Sequence, residues 1–436
     1  MKQLLLILLI QIISFNLLAH GHGHTTPSKS WEVEQRSEIL YADFIKEKDG
    51  IVYLSDKNHA LLKISLDDFS KKDQQYIVDK STWIEVVNTP TKLPYSYSSK
   101  LTPWLITVGF FLVLFSIFRF IKRGNRLQLV YSLLGLTLVI VGCDNTNTSA
   151  VLSTKVPANN VDFLTSIFGA FNTVTTRHDK QYFYIESNGI PNHEMMTGIS
   201  NWQQQVPIPH AYSGNNSWAI PLQPQIAAFP LSTKNNFMKG AIAIAANGIP
   251  IFNPLNNRGE DANAIGELDH WGGHCGRADD YHYHVPPTHL QTQVGEGQPI
   301  AYALDGFPIY GPTSEPLDEC LGRFNADSSY QYHAIKEYPY LIAKMRGKVT
   351  FNPRTKAPEN EIMPQAKTKG VRPALEPLRG ATITSFRKNQ PNQYTLTYML
   401  EQKIFSINYG WGTDGKYSFE FINPDGSSKQ SSYQRE

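Results

Sequence analysis

The chain has 436 residues, enough for two or three domains, and a formal net charge of +2 with 18% charged residues. That balance argues against nucleic acid or any acidic polymer as a partner. Aromatic residues at 12%, with 30 Gly and 27 Pro spread without period, point to a turn-rich, mainly β protein.

The chain opens with MKQLLLILLIQIISFNLLA, a lysine and then an apolar run closed by Ala19. Residues 1–19 read as a secretory signal peptide, with an uncleaved anchor as the rival reading. Cleavage after Ala19 leaves His20, Gly21 and His22 at the new terminus. A free α-amino group with histidine at the third position suits Cu(II) or Ni(II), so His20 and His22 are candidates for a separate metal site. A flexible polar tail is the plainer reading. Residues 101–120, LTPWLITVGFFLVLFSIFRF, have the length of a transmembrane helix. The basic stretch Lys122 to Arg126 then assigns the following loop to the cytoplasm and the preceding residues to the outside. A third apolar run, residues 127–143, ends in Ile140-Val141-Gly142-Cys143, which resembles a bacterial lipoprotein cleavage box. It is either a second transmembrane helix or an internal lipoprotein-type signal with Cys143 lipidated, and both readings stay open. In each case the membrane is a partner. Both soluble regions then face the periplasm or exterior in a bacterial cell envelope.

Between the signal and the first span, residues 31–85 hold short alternating strands around the turns KDG and DKN. Val52 and Leu54, then Leu62 and Ile64, repeat with period 2. Ser70, with Asp73 three residues on, approximates a capping box and starts a short helix. A small SH3-like barrel fits this pattern. The stretches YADFIKEKDGIVYL and ISLDDFSKKDQQYI resemble the Sla1 homology domain 1. That resemblance implies a module with a peptide or protein partner.

Residues 153–436 read as one larger β-rich region. Three similar turns punctuate it, at Asn188-Gly189, Asn247-Gly248 and Asp305-Gly306, each with proline two residues on. Two of them belong to a longer repeat. AIAIAANGIPIFNP is followed by CGRADDYHYH, and PIAYALDGFPIYGP by CLGRFNADSSYQYH. This reads as an internally duplicated hairpin unit whose second copy has small insertions, so that Cys275 and Cys320 match. The turn at Asn188 reads as a fragment of the same plan.

Side chains on a strand alternate faces, so His282 and His284 share one face opposite Tyr281 and Tyr283. Gln331 and His333 share a face in the second copy. Strands lying close together would bring His282, His284 and His333 to one place, with His274, His193, Asp279 and Asp280 as further candidates. Imidazole-rich sites suit Cu or Zn, whereas a polar strand face is the plainer alternative. His178, His210, His270 and His289 flank loops or prolines and read as surface residues. In an oxidising compartment Cys275 and Cys320 read as a disulfide, with a pair of thiolate ligands as the alternative. QYTLTYML, KIFSINYGW and KYSFEFINPDG are closing strands, and Arg354 to Arg379 reads as a basic surface loop.

The segments NGIPNHEMMTGISNWQQQVPIP, NGIPIFNPLNNRGEDANAIGELDHWGGHCGRADDYHYH, IAYALDGFPIYGP and YQYHA together resemble the YHYH domain family, with a core over residues 167–344. The resemblance implies a secreted or envelope protein, and it implies no reaction. Gln331 stands where a full Tyr-His-Tyr-His would have histidine. The expected function is a membrane-anchored, extracytoplasmic protein that binds Cu or Zn through its histidines. Two alternatives stay open. One is a metal-dependent hydrolase or oxidase in which Asp279 or Asp280 orients a histidine or acts as base. The other is an adhesion or interaction module without catalysis.

Overall fold

The computed structural model describes residues 29–34, 39–56, 61–88, 108, 115 and 156–435. The segment 1–19, His20, His22, the segment 127–143 with Cys143, and the segment 101–120 apart from Val108 and Phe115 lie outside the described residues. Among the described residues no helix is long and apolar enough to cross a membrane. The chain divides into two compact units, Met1–Ser81 and Thr82–Glu436.

The first unit is an antiparallel sheet of β1 (Lys29–Trp31), β2 (Leu40–Lys48), β3 (Ile51–Asp56) and β4 (Leu61–Ser65), paired in chain order. Asp49 and Gly50, at φ 53° and 77°, make the β2–β3 turn. Two consecutive positive φ values match the right-handed twist of a hairpin. Val52, Leu54 and Ile64 are buried, as their period of 2 requires, around a fully buried Trp31 whose Nε1 donates to the Ala42 carbonyl. Helix α1 (Lys71–Asn88) begins where the Asp73 amide donates to Ser70 Oγ at 3.3 Å. It runs 18 residues, well beyond the short helix expected.

The second unit is mainly β. After helix α2 (Val161–Phe168) come β5 (Thr175–His178), β6 (Tyr182–Glu186) and β7 (Trp218–Pro221), which form one three-stranded sheet. The Asn188-Gly189 turn follows β6 and leads out of this sheet, so it is not a third hairpin of the repeated kind. Strand β8 (Ile226–Ser232) leads into the central sheet. That sheet is built from β9 (Ala241–Ala245), β10 (Pro250–Phe252), β11 (Gly273–Cys275), β12 (Tyr281–Tyr283), β13 (Ala301–Ala303), β14 (Pro308–Tyr310), β15 (Gly322–Phe324) and β16 (Tyr330–His333). Its order is β11-β12-β10-β9-β13-β14-β16-β15.

Read outward from the β9–β13 pair, both sides follow one plan. An antiparallel hairpin comes first, then a parallel neighbour, then an antiparallel outer strand. Alanine-rich β9 and β13 are buried throughout, as the centre of a sheet covered on both faces demands. Each hairpin turns at a glycine with positive φ, Gly248 at 76° and Gly306 at 100°. A Cβ on Gly248 would meet Ser187 and Val174 at 2.9 Å, and one on Gly306 would meet Pro224 at 2.9 Å.

Beyond the central sheet, β17 (Lys344–Gly347) pairs with β8, and β18 (Thr350–Phe351) pairs with β19 (Ile362–Met363). The chain closes with a five-stranded antiparallel meander, β20 (Thr382–Gln390), β21 (Gln393–Leu400), β22 (Lys403–Trp411), β23 (Lys416–Ile422) and β24 (Ser428–Gln434). Its buried residues Tyr394, Leu396, Ile407, Tyr409 and Phe419 share one hydrophobic core with the central sheet. Arg354 to Arg379 is not simply a surface loop. Asn360, Gln365 and Arg372 within it are buried, because their polar groups serve partners deep in the unit, and Glu361 is buried beside them.

Candidate metal centre

β12 ends at Tyr283 and His284 follows it directly, so that His282 and His284 lie two residues apart and turn to one side. On the outer strand β11, His274 pairs directly across from His282. These three histidines gather at one end of the sheet, with one ligand nitrogen from each lying within 4.8 Å of the others. The Nε2 atoms of His274 and His284 are 3.0 Å apart, and those of His282 and His284 are 3.1 Å apart.

The opposite ring nitrogens are tied to the backbone. His282 Nδ1 meets the Asp280 carbonyl at 3.0 Å, and His284 Nδ1 meets the Asn253 carbonyl at 2.5 Å. His274 also hydrogen-bonds the Glu267 backbone. A carbonyl only accepts, so His282 and His284 each hold a proton on Nδ1 and turn Nε2 toward the other rings. Burial, then the neighbouring imidazoles, holds His274 well below the ordinary histidine range. Burial, then His282 alone, takes His284 down to about 3. Three imidazole Nε2 atoms therefore face one another at hydrogen-bond distance.

A cation placed among them would be bound by these nitrogens. With metal–nitrogen bonds of ~2.05 Å in near-tetrahedral geometry, donor nitrogens sit about 3.3 Å apart, close to the two observed separations. Carbonyls on the far nitrogens are the usual means of orienting such ligands. The Asp280 carboxylate stands 3.6 Å from His282 Nδ1, and the Phe252 ring stacks on His282 at 4.1 Å. Among the described residues no further His, Cys, Asp or Glu joins this cluster. A pocket bordered by His274, Glu267, Gln205 and Trp202 lies beside it.

Two candidate ligands stand elsewhere. His333 belongs to the other half of the sheet, where its Nδ1 meets the Gly311 carbonyl and its Nε2 meets the Gln331 amide at 2.9 Å. His193 sits on the tyrosine side of β12, with Nε2 2.6 Å from the Tyr283 hydroxyl and its ring against Trp271 and His289. Asp279 points away as well. It forms a buried bidentate pair with Arg372, both contacts at 2.8 Å. His210 is buried rather than exposed, with Nε2 3.1 Å from the Ala278 carbonyl.

Cys275 and Cys320 are free, buried thiols and form no disulfide. Cys275 lies in β11, and Cys320 lies two residues before β15 on the opposite edge. Seven interstrand steps separate those edges, on the order of 30 Å along the sheet, whereas a disulfide needs Cα atoms within about 7 Å. The two residues are not equivalent either. Cys275 pairs with Tyr281, while the residue paired with Tyr330 is Phe324. Burial raises both thiols above their usual range, against a thiolate role, and Cys275 Sγ rests 3.5 Å from Met196 Sδ.

The backbone partners escaped the sequence reading, although the sequence marks one of them. Asn253 and Gly311 occupy matching places before proline in IFNP and IYGP, and each offers its carbonyl to the last histidine of its half. A residue before proline is held extended, which keeps its carbonyl turned to a neighbour. No curated protein and no solved structure matches the chain. Residues 217–316, which include all three clustered histidines and end before β15, match the family described as YHYH protein.

Proposed function

We propose that this is a membrane-anchored, extracytoplasmic protein that holds one transition-metal ion, Cu or Zn, on His274, His282 and His284. One observation supports the metal reading above all: three imidazole Nε2 atoms converge while the far nitrogens of His282 and His284 are tied to carbonyls. Anchoring and location rest on the apolar segments 101–120 and 127–143 and on the signal-like start. Residues 31–85 are read as a Sla1 homology domain 1 with a peptide or protein partner, and the two matching sides of the central sheet as an internal duplication. Calorimetric titration of the metal-free protein with Zn(II) or Cu(II) tests the metal reading. One equivalent is expected, and its retention in the His282→Ala/His284→Ala variant would overturn the assignment.

A second reading is a metal-dependent enzyme. It is favoured by the three-donor set, which leaves a fourth position for water or substrate, and by the pocket beside His274. Azide added to the Cu(II) form should shift its visible spectrum if that position is open. An unchanged spectrum would remove this reading and leave the first intact.

A further inference from the structure

The two sides of the central sheet align without a gap over Asp269–His284 and Asp318–His333. Asp269 Oδ1 accepts from the amides of Trp271 and Gly273, and Asp318 Oδ1 from those of Cys320 and Gly322. Tyr281 and Tyr330 each donate a hydroxyl to that aspartate. The His284 amide donates to the Gly272 carbonyl, and the His333 amide to that of Leu321. Gly273 pairs with Tyr283 as Gly322 pairs with Tyr332. Arg323 thus stands in the place of His274, Gln331 in that of His282, and His333 in that of His284.

The chemistry of the second side differs where the first gathers lone pairs. The Gln331 amide nitrogen donates to His333 Nε2 at 2.9 Å, and Asn325 Nδ2 holds the Gln331 oxygen at 2.9 Å. Buried Arg323 pairs with Glu315 at 3.1 Å. We infer that the second side is a closed counterpart of the histidine site, in which the Gln331 amide occupies the His333 lone pair and Arg323, paired with Glu315, stands where a third imidazole would be. Its backbone still has the form of a divalent transition-metal site, and two side chains exclude the ion. The inference rests on the proposed metal reading for the first side alone.

Two measurements on the full chain test it. The Arg323→His/Gln331→His variant should bind one Zn(II) more than the wild type, and should still bind one when His282→Ala/His284→Ala is added. A folded variant with no added equivalent would overturn the inference. If the wild type takes no Zn(II) but this variant takes one, the proposed function fails, and the inference as a counterpart of a metal site is overturned with it; a wild type that takes one while the variant takes no more overturns the inference alone. Should the variant not fold, nitrogen-15 NMR of the wild type decides. Zn(II) should leave the His333 ring signals in place, and a stoichiometric shift of His333 would overturn the inference.

Discussion

His282 and His284 were legible at the scale of single residues because strand alternation alone puts them on one face. Their third partner is His274, which contact across the β11–β12 hairpin selects. His333 was drawn into the set by sequence likeness, and its strand lies on the other side of the sheet. Neutral buried histidines have a consequence for stability. His284 is held to about 3 and His289 to about 4, both chiefly by burial. An unfolded histidine takes a proton near pH 6.5, and the folded rings refuse it until the pH is much lower. Stability of the metal-free protein is therefore complete above about pH 6.5 and declines as the pH falls toward 4 and below. For a fully buried ring such as His284 the decline is roughly 1 kcal/mol per pH unit. Thermal melts across pH 4 to 8 measure it. Replacing His289 with Gln should flatten the slope, and a melting temperature that rises on acidification would contradict the account.

At the scale of elements, the paired hairpins and the closing strands β21 to β23 were readable from period and turn chemistry. The register between the two sides of the central sheet was not, because aligning cysteine with cysteine requires insertions that the two sides do not contain. Asp269 and Asp318, whose carboxylates cap identical turns, were the better anchors. The role of Arg372 was also hidden, since its partner is 93 positions away. Its guanidinium holds both Asp279 oxygens, donates to the Gln204 carbonyl at 2.7 Å and lies over the Phe419 ring at 4.6 Å. It thereby ties the β11–β12 turn to the meander. Arg372→Ala leaves a buried carboxylate unpaired and should cost about 3–5 kcal/mol in urea unfolding. A loss below ~1 kcal/mol would mean that this ion pair is not what joins the two.

At the scale of the whole molecule, one sheet with two matching sides gathers its three-histidine cluster on one side. The same separation keeps Cys275 and Cys320 apart. Denatured but unreduced protein should yield both residues alkylated by iodoacetamide, located by peptide mass spectrometry, while native protein should resist labelling at either because both are buried. Recovery of a Cys275–Cys320 cross-linked peptide would contradict the sheet order. The central claim, a single metal centre on three histidines, is tested most directly by anomalous diffraction from crystals of the Zn-loaded protein. The account predicts one strong peak ~2.0–2.1 Å from Nε2 of His274, His282 and His284. Absence of a peak there in well-ordered crystals, or a peak at another set of residues, would contradict it.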